Sequence, residues 1–105
     1  MEKILFIVNP IAGGGRTRSL IPMIDEKMQE KEVDYKIVLT SGPKDATLLA
    51  REYLDRGYEK IVAVGGDGTV NEVALGVVDY GRGSLAIIPS GTGNDLARSL
   101  HIPQE

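Results

Sequence analysis

"VGGDGTVNEV" (residues 64–73) places three glycines and an aspartate directly behind an apolar run. Glycine inside a strand or helix costs roughly 0.5–1 kcal/mol relative to alanine, so such a cluster needs a local cause. Either the backbone turns where side chains cannot follow, or another group comes very close to it. The residues leading in, "KIVAVG" (60–65), are continuously apolar. Those leading out, "VNEVALGVVDYG" (70–81), carry Val70, Val73, Ala74, Val77 and Val78 at helical spacing. A strand that enters a helix through a glycine turn is the repeating unit of a parallel α/β sheet.

The rest of the chain follows the same pattern. Three more strand-sized runs stand at "KILFIV" (3–8), "YKIVLT" (35–40) and "SLAIIP" (84–89). All four runs are continuous rather than alternating, which predicts parallel strands buried on both faces. Between them, "SLIPMIDEKMQEK" (19–31) aligns Leu20, Ile21, Ile24 and Met28, with Pro22 expected in its first turn, where the missing N–H costs nothing. "DATLLAREYLDRG" (45–57) aligns Ala46, Leu49, Ala50, Tyr53 and Leu54, opens at Asp45 and stops at Gly57. "GNDLARSLHIP" (93–103) is expected to begin a fourth helix. The β-α-β-α-β-α-β-α order predicts one domain over residues 1–105. It is a three-layer α/β/α, Rossmann-like fold with a four-stranded parallel sheet in the order 2-1-3-4.

Composition narrows the function. The 105 residues contain no cysteine and a single histidine, His101, so disulfide scaffolds and Cys- or His-rich metal sites are excluded. His101 is expected to be a surface or packing residue. The net charge of −3 with no Lys/Arg block argues against nucleic acid as a partner. No stretch has the length of a signal h-region or a membrane span, which predicts a soluble cytoplasmic domain. There is no polybasic patch or cationic amphipathic helix, so membrane contact by this segment is expected to be weak.

A glycine-rich loop follows every strand: "NPIAGGGR" (9–16), "TSGPKD" (40–45), "GGDGT" (65–69) and "PSGTGND" (89–95). In a parallel sheet all four leave the carboxyl edge, where open α/β sheets bind ligands. Loops that feed helix N-termini favour anions, and bare backbone at Gly65, Gly66 and Gly68 would let phosphate oxygens reach the amides. Arg16 and Lys44 are candidate phosphate partners from the same edge. Simpler readings stand beside these. Thr69 and Glu72 form T-x-x-E, a capping box. Asp67 could close an Asx turn, and Gly13–Gly15 could be a flexible turn. G-x-x-x-x-G-K-[ST], G-x-G-x-x-G and G-x-S-x-G are all absent, which excludes a P-loop, a dinucleotide fingerprint and a hydrolase elbow.

Taken together, "NPIAGGGR", "GGDGTVNEV" and "PSGTGNDLAR" (89–98) resemble the diacylglycerol kinase catalytic domain family, which includes bacterial lipid kinases and is shared with sphingosine and ceramide kinases. The GGDGT element alone is also similar to NAD kinases and phosphofructokinases. The resemblance implies an N-terminal domain of the NAD-kinase and diacylglycerol-kinase type that binds ATP with Mg²⁺, and transfer of the γ-phosphoryl to a lipid hydroxyl such as that of diacylglycerol. It implies nucleotide contacts from Asn9, Pro10, Gly13, Gly14, Gly15 and Arg16, and from Thr40. Further contacts are implied from Gly65, Gly66, Asp67, Gly68, Thr69, Asn71 and Glu72, and from Gly91, Thr92, Gly93 and Asn94. Asp67 and Asp95 resemble the acids that organise metal, water and the accepting hydroxyl; alternatively, Asp95 is a helix-start acid favoured by the dipole. Chains of this family continue into a β-rich domain that carries the lipid pocket, further metal-binding acids and the general base. Residues 1–105 are therefore expected to be a fragment, inactive on lipid alone, able to self-associate through an exposed seam, and peripheral to the inner membrane face only when full-length. Other readings are a NAD-kinase-like phosphotransferase and a non-catalytic nucleotide-binding module.

Overall fold

The structure, a computed structural model, describes residues 2–89. The elements run β1 (Lys3–Val8), α1 (Arg16–Lys31), β2 (Asp34–Leu39), α2 (Asp45–Asp55), β3 (Lys60–Gly65), α3 (Asp67–Tyr80) and β4 (Ser84–Pro89). A single sheet has the order β2-β1-β3-β4, and every pairing is parallel. The expected strand order is therefore observed, with the switch between β1 and β3. The expected fourth helix, together with Gly91, Thr92, Gly93, Asn94, Asp95 and His101, lies outside the described residues.

Two apolar layers hold the helices to the sheet. On one face Ile4, Phe6, Val8, Val62, Val64 and Ile88 meet Leu20, Ile24 and Met28 of α1. On the other, Leu5, Ile7, Ile61 and Ala63 meet Ala46, Ala50, Tyr53 and Leu54 of α2 and Val73 of α3. Burying a large aliphatic side chain stabilises by about 1.5–3 kcal/mol, so the fully enclosed β1 and β3 anchor the domain. The expectation that all four strands are buried on both faces fails for β2 and β4. Both lie at sheet edges, and Asp34, Lys36, Leu39 and Ile87 are exposed.

Three details of the helices differ from their sequence pattern. Helix α1 starts three residues earlier than expected, which places Pro22 inside it rather than in its first turn. Proline has no N–H for the Arg18 carbonyl, but both residues are on the exposed face, where water can replace the bond. Helix α3 starts at Asp67, and its register turns Val78 outward (74% exposed) while Gly76 is buried. The reason is α2. A β-carbon at Gly76 would stand 2.7 Å from the Thr47 carbonyl oxygen and 2.9 Å from the Ala50 β-carbon. Glycine there lets the two helices touch backbone to backbone. The T-x-x-E capping box is also not formed: the N-cap is Gly66, with no side-chain cap bond, and Thr69 lies within the first turn.

Gly76→Ala should destabilise the domain despite alanine's higher helix propensity, because overpacking costs about 1–3 kcal/mol against a gain of roughly 0.5–1 kcal/mol. Urea denaturation checks this. A midpoint equal to or above that of the wild type would contradict the close α2–α3 approach.

Candidate functional site

At the switch point, β1 hands the chain to α1 on one side of the sheet and β3 hands it to α3 on the other. Asn9, the first residue after β1, spans the divergence, and every polar group it has is engaged. Its N–H donates to the Val64 carbonyl at 3.0 Å, which ties it to the end of β3. Its carbonyl accepts from the Ala12 N–H at 3.2 Å and from the Thr17 hydroxyl, which ties it to the start of α1. Its Nδ2 donates to Thr69 Oγ1 at 3.2 Å in α3, and its Oδ1 accepts from the Ile11 N–H at 3.2 Å. Thr17 is fully buried and Thr69 nearly so.

The loop after Asn9 needs its glycines for conformation. Gly13, Gly14 and Gly15 have φ of 62°, 68° and 93°, successive left-handed residues that side chains resist. The glycines of "GGDG" have other causes. Gly66 is extended (φ −92°, ψ −167°), and neither Gly65 nor Gly68 has a positive φ. A β-carbon at Gly65 would stand 2.7 Å from Thr69 Oγ1, so this glycine makes room for the threonine held by Asn9. A β-carbon at Gly68 would meet nothing within 4 Å. The same holds for Gly42.

These last two glycines line one cleft of about 410 Å³ at the carboxyl edge, with Asn9, Pro10, Ile11, Thr40, Ser41, Pro43, Ala46, Thr69 and Glu72. One wall is the turn after β1, the opposite wall is the turn 40–44 after β2, and the first turn of α3 forms the floor. The opposite wall is fastened at three places. The Thr40 N–H donates to the Val8 carbonyl at 2.9 Å. The Ser41 N–H and hydroxyl donate to Asp45 Oδ2 at 2.8 and 3.0 Å. The Lys44 N–H donates to Glu72 Oε2 at 3.1 Å.

Of the residues expected at a ligand site, the cleft gathers Asn9, Pro10, Thr40, Gly68, Thr69 and Glu72. Gly13, Gly14, Gly15, Arg16, Gly65, Gly66, Asp67 and Asn71 are outside its lining. Arg16 is exposed at the first position of α1, and Asn71 is on the exposed side of α3. Asp67 is exposed at the first position of α3, and its carboxylate has no hydrogen bond or ion pair among the described residues. No cluster of three or more His, Cys, Asp or Glu that could hold a metal occurs among them. Lining residues the motifs did not mark are Ile11, Ser41, Gly42, Pro43 and Ala46; the "TSGPKD" loop was the signal for three of them. Thr17 and Thr47 had no sequence signal. The cleft thus presents backbone, hydroxyls, one helix N-terminus and the Glu72 carboxylate, whose Oε2 is taken by the Lys44 N–H; the neutral donors suit an anionic ligand.

The sequence pattern of the diacylglycerol kinase catalytic domain matches residues 3–105. A diacylglycerol kinase of Staphylococcus haemolyticus (strain JCSC1435) is 39% identical over 100 residues, covering 94% of this chain and 30% of that protein. A diacylglycerol kinase of Bacillus subtilis (strain 168) is 36% identical over 106 residues, covering 100% of this chain and 35% of its own length. The crystal structure of a diacylglycerol kinase from Bacillus anthracis str. Sterne superposes with a TM-score of 0.75 at 39% identity, over 99% of this chain and 38% of that one. The chain spans about a third of the length of the curated relatives it matches. Among the described residues no helix is long and apolar enough to cross a membrane.

Asn9→Ala removes the donor to a nearly buried Thr69 and the acceptor for Ile11. It should destabilise by about 1–3 kcal/mol, more than the isosteric Thr17→Val, whose partner carbonyl keeps the Ala12 N–H. Thermal unfolding of the two variants checks the ranking. Equal and negligible shifts would mean that the Asn9 side chain does not brace α3 against the turn after β1.

Proposed function

The chain belongs to the diacylglycerol kinase catalytic domain family, and from that membership we propose that residues 1–105 are the ATP-binding domain of a lipid kinase. The whole protein would transfer the ATP γ-phosphoryl to the hydroxyl of a lipid such as diacylglycerol. The observation that carries this reading is the convergence of two strand-to-helix turns, those after β1 and β2, and the α3 N-terminus on one cleft at the β1/β3 switch point. Its volume falls within the ~300–1,000 Å³ usual for small-ligand sites.

Each group has a role the polyphosphate requires. Gly68 and Gly42 leave open space, so a phosphate or ribose oxygen can approach the backbone without displacing a side chain. The first N–H groups of α3 have no intrahelical acceptor and carry the positive end of the helix dipole toward an anion. Asn9, in using its own polar groups on Val64, Thr17, Ile11 and Thr69, holds this N-terminus at a fixed distance from the first turn. Gly66, Thr40 and Thr69 are proposed as further nucleotide contacts.

Asp67 is a carboxylate with no partner among the described residues, at the first position of α3 and next to the cleft-lining Gly68. Beside a polyphosphate such an acid is repulsive unless a cation is between them, and that fits it to Mg²⁺. The metal would neutralise charge on the transferring phosphoryl, the main demand of this reaction. Asp67 and Asp95 are proposed to orient the metal, water and accepting hydroxyl. The lipid pocket, the general base and membrane contact are proposed to belong to the part of the relatives that this chain does not span.

Isothermal titration of the chain with ATP, with and without Mg²⁺, tests the reading: saturable binding that Mg²⁺ strengthens is expected, and none at millimolar ATP would overturn it. Gly68→Ala is the sharper variant, because its β-carbon meets nothing in the protein. It should leave stability unchanged or raise it by roughly 0.5–1 kcal/mol, while weakening ATP about tenfold. Gly66→Ala is tolerated by its extended backbone and should weaken ATP in the same way. Asp67→Asn should abolish most of the Mg²⁺ dependence without unfolding the domain. In a radiolabelled-ATP assay with mixed diacylglycerols and Mg²⁺, residues 1–105 alone should transfer no phosphoryl group to lipid. Turnover approaching that of a full-length relative would refute the division of labour.

A further inference from the structure

We infer that Glu72 is a positioning residue. Its carboxylate acts through the Lys44 amide to hold the 40–44 wall of the cleft at its working distance from α3.

The geometry of the wall carries this. Lys44 adopts a left-handed conformation (φ 70°, ψ −5°), uncommon for a residue with a side chain. Its carbonyl accepts the first α-helical bond of α2 from the Leu48 N–H at 3.3 Å, and its N–H points across to Glu72 Oε2 at 3.1 Å. Behind it, the Thr47 hydroxyl donates to the Glu72 carbonyl oxygen at 2.7 Å. One residue of α3 therefore receives two bonds from the start of α2, one on its side chain and one on its backbone. One turn further along, Gly76 brings the helices into backbone contact, so this junction has a rigid fulcrum.

The other ties of the wall are differently directed. Ser41 bonds to Asp45 within the same turn, and Thr40 bonds to Val8 of the sheet. Among the described residues, Glu72 is the side chain that joins the wall to the floor. An ionised carboxylate accepting an amide N–H makes a stronger bond than a neutral acceptor would. The same engagement explains how an acid can line a cleft for an anion: one of its oxygens is directed at protein. Without the carboxylate, the left-handed turn loses the bond that selects it, and the cleft can widen between Gly42 and Gly68.

The binding arm of the test rests on the nucleotide reading above, and a spectroscopic arm does not. In ¹H–¹⁵N spectra of the chain without nucleotide, the Lys44 amide should exchange slowly with solvent, and Glu72→Ala should remove that protection while Glu72→Gln keeps most of it. A Lys44 amide that exchanges equally fast in wild type and in Glu72→Ala overturns the clamp, whether or not ATP binds. In the titration arm, Glu72→Ala should weaken ATP about tenfold, the worth of one charge-assisted bond. Glu72→Gln, which retains an oxygen acceptor, should recover most of that loss. Adding Lys44→Gly to Glu72→Ala should recover part of it, since glycine holds the left-handed turn without the bond. Glu72→Gln as damaging as Glu72→Ala would mean that the charge acts on the ligand or its metal, and would overturn the proposal. A wild-type chain that binds no ATP would refute the nucleotide reading and leave the Lys44 resonance to decide the clamp.

Discussion

Where β1 ends, the fold must do two incompatible things. The chain has to leave for α1 on one face, while its neighbour β3 leaves for α3 on the other. A parallel sheet that switches direction at this point opens a gap, and the last polar groups of both strands sit at the edge of it. A buried polar group left unpaired costs about 1–3 kcal/mol, so the gap cannot simply be left open. Asn9 resolves the conflict because one side chain and one peptide unit reach the end of β3, the start of α1, its own turn and the first turn of α3. The gap is then held at a fixed width instead of collapsing. The cleft is what this bracing leaves over.

The electrostatics of the cleft follow from the same geometry. The chain is acidic overall, and among the described residues no cluster of Lys or Arg stands at the carboxyl edge; Arg16 and Lys44 are exposed and their side chains do not build the lining. For the anion proposed above, attraction would come instead from oriented peptide groups, which are neutral and add no self-repulsion to the domain. Two acids close by have opposite circumstances. Glu72 is engaged by the Lys44 amide, whereas Asp67 has no partner among the described residues. One carboxylate is used by the fold, and the other is the one proposed above to face a cation.

The order of strands and helices was legible in the sequence because it rests on burial. Val and Ile run continuously through β1 and β3, and each helix shows its stripe. What was not legible is where one element touches another. Nothing in "VNEVALGVVDYG" says that Gly76 rather than Val78 faces inward, because the answer is set by the Thr47 carbonyl twenty-nine residues away. Edge exposure of β2 and β4 was hidden for a related reason, since apolar runs look alike whether or not a further layer covers them. Of the site, the loops and the switch point were readable from glycine placement and strand order. The roles of Thr69 and Glu72 were not. T-x-x-E is a local pattern, and both residues are taken by distant partners, Asn9 and Lys44. Thr17 has no pattern at all, because its partner is one carbonyl in a neighbouring turn.

The glycines separate by cause once the contacts are known, and the separation bears on function. At Gly13, Gly14 and Gly15 the backbone itself demands glycine. At Gly65 and Gly76 a neighbouring atom does, Thr69 Oγ1 in one case and the Thr47 carbonyl in the other. Gly42 and Gly68 have neither cause: neither has a positive φ, and added β-carbons would meet open space. Gly68 is moreover inside α3, where alanine would be favoured by helix propensity. Both residues line the cleft, on its wall and on its floor. Two glycines for which the described fold supplies no reason stand on two sides of one cleft. The polyphosphate proposed above would supply one, because bound by backbone amides it would leave no room for a side chain at either position.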